Sequence, residues 1–94
     1  MIKKIKIENM TSPRTGAEVP NQFIITTEEG EYFQSYRSII AFIPKDNSGI
    51  ILDASKWDYS RTTSKYRNDF LNETTKETEE KIKTGEYKLL DLNN

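Results

Sequence analysis

The sequence predicts one α+β domain in which a mostly antiparallel sheet of five or six strands is followed by two helices. Short β-branched and aromatic segments, separated by turn residues, fill the first half of the chain. After about residue 60 the apolar residues recur at helical spacing. The length of 94 residues corresponds to a single domain, so residues 1–94 are assigned to it.

Alternation and turn chemistry define the predicted strands. Ile5 and Ile7 alternate with lysines, which predicts a strand with one apolar face. The tripeptide 28–30 (Glu-Glu-Gly) separates two strand-like segments and predicts a hairpin. A run of apolar residues that ends at Pro44 is typical of a central strand. The predicted strands span 2–8, 22–27, 31–36, 38–43 and 50–53, with 87–92 as a last strand or an extended arm.

The two predicted helices cover about 61–71 and 74–84. Ser60, Thr62 or Thr63 can cap the first helix. A Thr74–Glu77 capping box begins the second helix, and Gly85 ends it. On the first helix the spacing places Thr63, Tyr66 and Phe70 on the inner face and Arg61, Lys65 and Asn68 on the outer face.

Composition excludes several kinds of chemistry. The chain has no cysteine and no histidine, so disulfides, thiolate zinc sites and Ser-His or Cys-His nucleophilic pairs are impossible. We expect no catalytic residues, no cofactor, no metal site and no enzymatic activity. The net charge of −1 means that any binding of nucleic acid rests on a local patch. No segment is predicted to enter a membrane, and we expect a cytoplasmic protein.

The segment 57–71 interleaves aromatic and basic residues and provides the main candidate site. Its cations can contact phosphates, and its aromatic rings can stack on bases. Alternatively, the rings pack the helix onto the sheet while the cations are solvated. The candidates for binding nucleic acid or a protein partner are Trp57, Tyr59, Arg61, Lys65, Arg67 and Asn68, with Arg37 from the sheet side.

A predicted loop over residues 9–21 provides a second candidate. It is long for so small a domain, and long loops are often functional. Arg14 and Thr15 can contact an anion there, although a plain connection between strands explains the loop equally well. The acidic residues around the predicted hairpin turn are expected to be solvated and not to bind a metal.

Several short segments between about residue 10 and residue 92 form a recognisable pattern. They are Asn21–Ile25, Tyr32–Tyr36, Trp57–Ser60, Thr63–Arg67 with Phe70-Leu71, and Gly85–Tyr87. This pattern resembles a family of short uncharacterised proteins carried by bacteriophages, plasmids and other mobile elements. The resemblance implies an accessory protein inside a bacterial host cell. The family has no assigned activity, so the resemblance implies no catalytic or binding residue.

We therefore expect a non-enzymatic accessory binding module, whose partner is nucleic acid or a host protein. The first hypothesis is that the basic helix stripe binds nucleic acid. The second is that the protein inhibits a host defence system by protein–protein contact, as anti-CRISPR and other anti-defence proteins do. The third is a structural or oligomerising protein that pairs through an exposed sheet edge.

Overall fold

A six-stranded sheet and two helices make up the fold, and the predicted α+β class is confirmed. The computed structural model describes residues 4–93. The strands are β1 (Lys6–Thr11), β2 (Glu18–Thr27), β3 (Gly30–Ser35), β4 (Ser38–Pro44), β5 (Ile51–Asp53) and β6 (Lys88–Leu90). The helices are α1 (Arg61–Leu71) and α2 (Thr75–Lys83). The strands are ordered β1-β2-β3-β4-β5-β6 in the sheet.

The first five strands pair antiparallel, and only the last pairing differs. β6 runs parallel to β5, with Leu89 opposite Leu52. Parallel neighbours cannot be joined by a tight turn and need a long crossover connection. The two helices are this crossover, which explains why they lie together between β5 and β6 in the chain.

The first connection is shorter than the sequence predicts, and the prediction of a loop over 9–21 is wrong. β1 continues to Thr11 and β2 begins at Glu18, so the connection spans only residues 12–17. Pro20 falls in an irregular stretch, where the pairing shifts between Asn9 opposite Phe23 and Thr11 opposite Glu18. A bulge tolerates a proline because the missing N–H is not needed for pairing there. Residues 2 and 3 of the predicted first strand lie outside the described residues.

The predicted hairpin between β2 and β3 is confirmed. Thr27 pairs with Gly30, so Glu28 and Glu29 form a two-residue turn. A Cβ atom on Gly30 would lie 2.2 Å from the carbonyl oxygen of Ile43 and 2.9 Å from the Phe42 ring. Glycine at this position therefore allows β3 and β4 to approach and leaves room for the Phe42 ring.

A β-bulge explains why β4 is apolar at consecutive positions. Phe33 pairs with Ala41 and the next residue, Gln34, pairs with Ile39, so Ile40 is an extra residue in β4. Both Ile40 and Ala41 are fully buried. The bulge thus lets two neighbouring side chains enter the same core.

The helices cover one face of the sheet and leave the other face open. Phe33 is fully buried and its ring centroid lies 5.7 Å from that of Phe70 in α1. Side chains alternate along a strand, so the neighbouring Tyr32 points to the opposite face, where its ring stacks on Phe42 at 4.4 Å. The pairing aligns a cross-sheet row on this open face: Ile7, Ile25, Tyr32, Phe42, Ile51 and Lys88.

Both helices begin at predicted caps, and of the three candidates for α1 the structure selects Ser60. Ser60 caps α1, and its hydroxyl oxygen accepts a hydrogen bond from the Thr63 N–H at 3.1 Å. The Thr74–Glu77 capping box is present at α2. Thr63 and Tyr66 are buried, so the predicted inner face of α1 is confirmed. The chain leaves α2 through Gly85, whose φ of 84° is in the left-handed region.

A buried carboxylate fixes α2 and the start of β6 to the end of α1. The Glu73 carboxylate accepts hydrogen bonds from Lys81 Nζ at 2.8 Å and from the Tyr87 hydroxyl at 2.7 Å. The Thr78 hydroxyl donates to the same carboxylate. Burial alone raises the pKa of Glu73, but these hydrogen bonds outweigh burial and hold the pKa below its ordinary value. We call Glu73, Thr78, Lys81 and Tyr87 the Glu73 cluster.

Candidate nucleic-acid interface

Two of the predicted cations, Arg61 and Lys65, lie on the solvent-facing side of α1. Both side chains are exposed. They are one helical turn apart on the same side, because residues at i and i+4 are neighbours on a helix surface. The Lys65 Nζ atom lies 5.3 Å from the ring centroid of Tyr66, so this cation covers the outer side of a buried ring.

Arg67 is not part of this exposed group, contrary to the sequence-based expectation. Its side chain is fully buried. One terminal nitrogen, Nη1, donates to the carbonyl oxygen of Trp57 and lies 3.3 Å from Asp58 Oδ1. The other, Nη2, donates to Thr75 Oγ1 at 2.9 Å. Arg67 therefore joins α1 to the segment before it and to the start of α2.

Asn68 also departs from the expected outer face. It is half-buried, its Oδ1 atom accepts a hydrogen bond from Arg67 Nη2 at 2.9 Å, and its Nδ2 atom donates to Thr75 Oγ1 at 3.1 Å. Asn68 follows Arg61 by seven residues on this 11-residue helix, so spacing alone places both on the outer face. The turn between α1 and α2 covers that end of the face, because Asn68 is hydrogen-bonded to Thr75 at the start of α2. Its polar atoms are used within the protein.

The two aromatic candidates before the helix have different surroundings. Trp57 is half-buried, and the Arg67 guanidinium lies 5.1 Å from its ring centroid. Tyr59 is 47% exposed, and Lys56 Nζ lies 5.1 Å from its ring centroid. The sequence is compatible with two roles for both rings, packing in the core or binding a ligand. Trp57 packs inside the fold, whereas the ring of Tyr59 is available at the surface.

Arg37 is exposed in the turn between β3 and β4, at the end of the sheet where α1 begins. The hydroxyl groups of Ser35 and Thr63 are hydrogen-bonded at 2.8 Å and buried, which fixes this turn to the first turn of α1. The structure thus brings the β3–β4 turn and the start of α1 together. We call Arg37, Lys56, Arg61 and Lys65 the basic patch.

Arg14 and Thr15 lie in the connection 12–17 and are exposed. The Thr15 hydroxyl oxygen accepts a hydrogen bond from the Ala17 N–H at 3.2 Å, as is usual in a polar turn. Pro13 of the same connection lines a cleft of about 780 Å³ together with Asn68 and Asp69. The connection therefore lies against the C-terminal half of α1, and Arg14 and Thr15 are not assembled with Arg61.

This cleft is acidic and does not extend the basic patch. Glu8, Asp69 and Glu73 line it, and Glu73 is already bound to Lys81. Within residues 4–93, no group of three or more acidic side chains is arranged to hold a metal ion. The negative charge of these side chains makes the cleft unsuited to a phosphate.

Sequence reasoning missed one exposed residue of this region, Tyr36, which is 49% exposed beside Arg37. The sequence pattern predicts the end of a strand at this position. Ser35 pairs with Ser38 in the structure, which leaves Tyr36 and Arg37 as a two-residue turn. No sequence signal marks this turn, because Tyr and Arg are not typical turn formers.

Fold and surface together define a small α+β protein with a basic surface at the start of its first helix. The chain belongs to the family of unknown function DUF8033, whose model matches residues 5–86. Like the family that the sequence resembles, DUF8033 has no assigned activity. The match does not link the chain to phages or mobile elements. Comparisons with curated proteins and with solved structures found no match. Neither helix in residues 4–93 is long and apolar enough to cross a membrane.

Proposed function

We propose that this protein is a non-enzymatic module that binds nucleic acid through the basic patch. The observation that carries the proposal is that the cations on the two sides of α1 differ in exposure and in ion pairing. Arg61 and Lys65 are exposed, whereas the buried Arg67 lies 3.3 Å from the Asp58 carboxylate. Asp58 pairs with Arg67, and within residues 4–93 neither Arg61 nor Lys65 forms an ion pair with a carboxylate.

The backbone of α1 adds to this positive region. The N-terminus of a helix carries a partial positive charge. In the first turn of α1, which lies wholly within residues 4–93, no residue is acidic. Arg61 and Lys65 therefore add their charges at the positive end of the helix, which is a favourable place for a phosphate group.

The exposed aromatic rings favour nucleic acid over a simple anion. Tyr59 lies at the surface next to Lys56, and Tyr36 lies beside Arg37. A cation beside an exposed ring can contact a phosphate while the ring contacts a base or sugar. Such mixed surfaces are typical of proteins that bind the backbone without reading a long sequence.

A fluorescence-anisotropy titration with labelled oligonucleotides at low salt tests the proposal. Wild-type protein should bind, and Arg61→Ala with Lys65→Ala should weaken binding by about tenfold through the loss of phosphate contacts. The matched control is Lys76→Ala with Lys83→Ala, which removes the same charge from exposed positions on α2. The control should bind like the wild type.

Two results would overturn this proposal. One is the absence of binding by the wild type to DNA and RNA, single- or double-stranded, at low salt. The other is equal weakening by the two double variants, which would mean that only net charge matters and that no site exists at α1. Circular dichroism of each variant separates a lost site from a lost fold.

A second candidate function, self-association, is favoured by the open face of the sheet. Five of the six positions in the cross-sheet row are apolar or aromatic, and Lys88 carries its only charge. The row reaches the edge strand β1, where Ile7 is 63% exposed. An antiparallel sheet normally presents polar side chains on its solvated face, so an apolar row there indicates a contact surface. A mainly apolar row can pack against the same row of a second molecule, so a second copy of this chain is the occupant that the row fits.

Sedimentation velocity over a range of concentrations tests self-association. Wild-type protein should form a dimer, and Ile7→Lys should shift the equilibrium to monomer by placing a charge in the contact. Thr15→Lys, in the exposed connection 12–17, is the control with the same added charge. A wild type that stays monomeric at the highest concentration would exclude this function.

The cellular setting is also part of the proposal. The resemblance supports a phage or mobile-element accessory protein in the cytoplasm of a bacterial host. Inhibition of a host defence system by protein contact is compatible with that setting. A pull-down from host lysate that captures nucleic acid, and releases its proteins after nuclease treatment, would favour nucleic-acid binding over inhibition.

A further inference from the structure

The turn between β3 and β4 holds a tyrosine in an unfavourable backbone conformation. Ser35 pairs with Ser38, so Tyr36 and Arg37 alone form the turn. Tyr36 has a φ of 57°, in the left-handed region. Glycine and asparagine adopt this region readily, but a bulky side chain rarely does.

Hydrogen bonds on both sides of Tyr36 maintain this conformation. Its N–H donates to the carbonyl oxygen of Asn21 at 2.7 Å, and its own carbonyl oxygen accepts from Gln34 Nε2 at 2.8 Å. The ring does not compensate for the strain by burial, because the residue is 49% exposed. Residues with a strained backbone are concentrated at binding and catalytic sites.

The position of Tyr36 connects it with Tyr59. Ser35 is hydrogen-bonded to Thr63, and the Thr63 N–H is in turn bonded to the capping residue Ser60. Tyr36 follows one end of this chain of hydrogen bonds and Tyr59 precedes the other. The two tyrosines therefore flank the same hydrogen-bonded junction between the β3–β4 turn and the start of α1.

We propose that Tyr36 is a base-stacking residue and that the ligand is single-stranded nucleic acid. This inference rests on the proposed function and specifies its ligand class. The bases of a duplex are stacked on each other and present only their edges, whereas a single strand exposes whole base faces to aromatic rings. Two exposed tyrosines, each next to a cation, provide two stacking positions along one strand.

The decisive variant is Tyr36→Asn, because asparagine tolerates the left-handed conformation and has no ring. Its thermal midpoint should equal or exceed that of the wild type, while its affinity for a single-stranded oligonucleotide should fall about tenfold. Tyr36→Phe keeps the ring and should bind like the wild type. Affinity for a duplex of the same sequence should be lower than for the single strand in the wild type and unaffected by Tyr36→Asn.

The outcomes separate this inference from the proposed function. Failure of the wild type to bind any nucleic acid removes both. Binding that depends on Arg61 and Lys65 but is unchanged in Tyr36→Asn removes the stacking role and leaves the proposed function in place. A wild type that prefers the duplex overturns the assignment of single-stranded ligand. A loss of binding in Tyr36→Phe equal to that in Tyr36→Asn would overturn stacking by the ring.

Discussion

Both sides of α1 carry basic residues, but these residues lie in opposite environments. On the outer side, Arg61 and Lys65 are exposed. On the inner side, Arg67 is fully buried, and its guanidinium is hydrogen-bonded to residues before α1 and in α2. One side is available to a ligand, while the other holds the crossover together. An arginine on a basic helix is therefore a candidate for binding only after its burial and its partners are known.

The largest expected effect concerns the core beneath the inner side. Phe33→Ala should lower the free energy of unfolding by about 4 kcal/mol, because it leaves a cavity under α1 next to Phe70. Urea denaturation followed by circular dichroism measures this. A loss close to that of a surface substitution would mean that α1 does not rest on Phe33.

Arg67→Ala should be nearly as harmful, at about 3 kcal/mol, although it removes a charge that sequence reasoning placed at the surface. The change leaves the Trp57 carbonyl oxygen and Thr75 Oγ1 without the guanidinium. The same urea titration measures the loss. If Arg67→Ala unfolded at the wild-type urea concentration, the two sides of α1 would not differ as described.

Glu73→Gln should cost about 2 kcal/mol at neutral pH, because it weakens the hydrogen bonds to Lys81 and Tyr87. The pKa of Glu73 is lower in the folded protein than its ordinary value of 4.5. Its contribution to stability is thus complete above that pH and is lost as the pH falls through the folded-state pKa. Burial of the Tyr87 hydroxyl raises its pKa to about 12, so its contribution is lost only between about pH 10 and pH 12.

Urea titrations at several acidic pH values check this. Stability of the wild type should decrease toward acid more steeply than that of Glu73→Gln. Glu79→Gln, an exposed change on the outer surface of α2, should retain the wild-type slope. Parallel curves for all three proteins would show that Glu73 does not contribute to acid sensitivity.

The smallest expected effect concerns the outer side. Arg61→Ala and Lys65→Ala should each change stability by no more than about 0.5 kcal/mol, because both side chains are exposed. A differential scanning measurement of the thermal midpoint checks this. A large drop in the midpoint of either variant would show that this residue stabilises the fold, as Arg67 is expected to do.

Local rules predicted most of the fold. Alternation and turn residues located the strands, although β1 and β2 extend into the predicted loop. The Thr74 capping box located the start of α2, and Ser60 is one of the three candidate caps for α1. The spacing of Thr63 and Tyr66 predicted the inner face of α1. These features depend on residues close in sequence, so the sequence alone suffices. The parallel pairing of β6 with β5 depends on the path of the crossover, which no local pattern specifies.

The candidate site was harder to predict because it depends on tertiary contacts. Helical spacing cannot show that α2 covers the side of α1 that holds Arg67 and Asn68. Pro20 indicated a loop because a bulge in β2 that accepts a proline cannot be foreseen. Tyr36 was missed because its left-handed turn contradicts the usual preference of its residue type.

The salt dependence of single-strand binding tests the central claim most directly, namely that the outer side of α1 contacts phosphates. Each contact contributes about 0.7 to the slope of log K against log salt concentration, so Arg61→Ala with Lys65→Ala should reduce the magnitude of the slope by about 1.4. Lys76→Ala with Lys83→Ala should leave it unchanged. An unchanged slope in the Arg61 and Lys65 double variant would contradict the account.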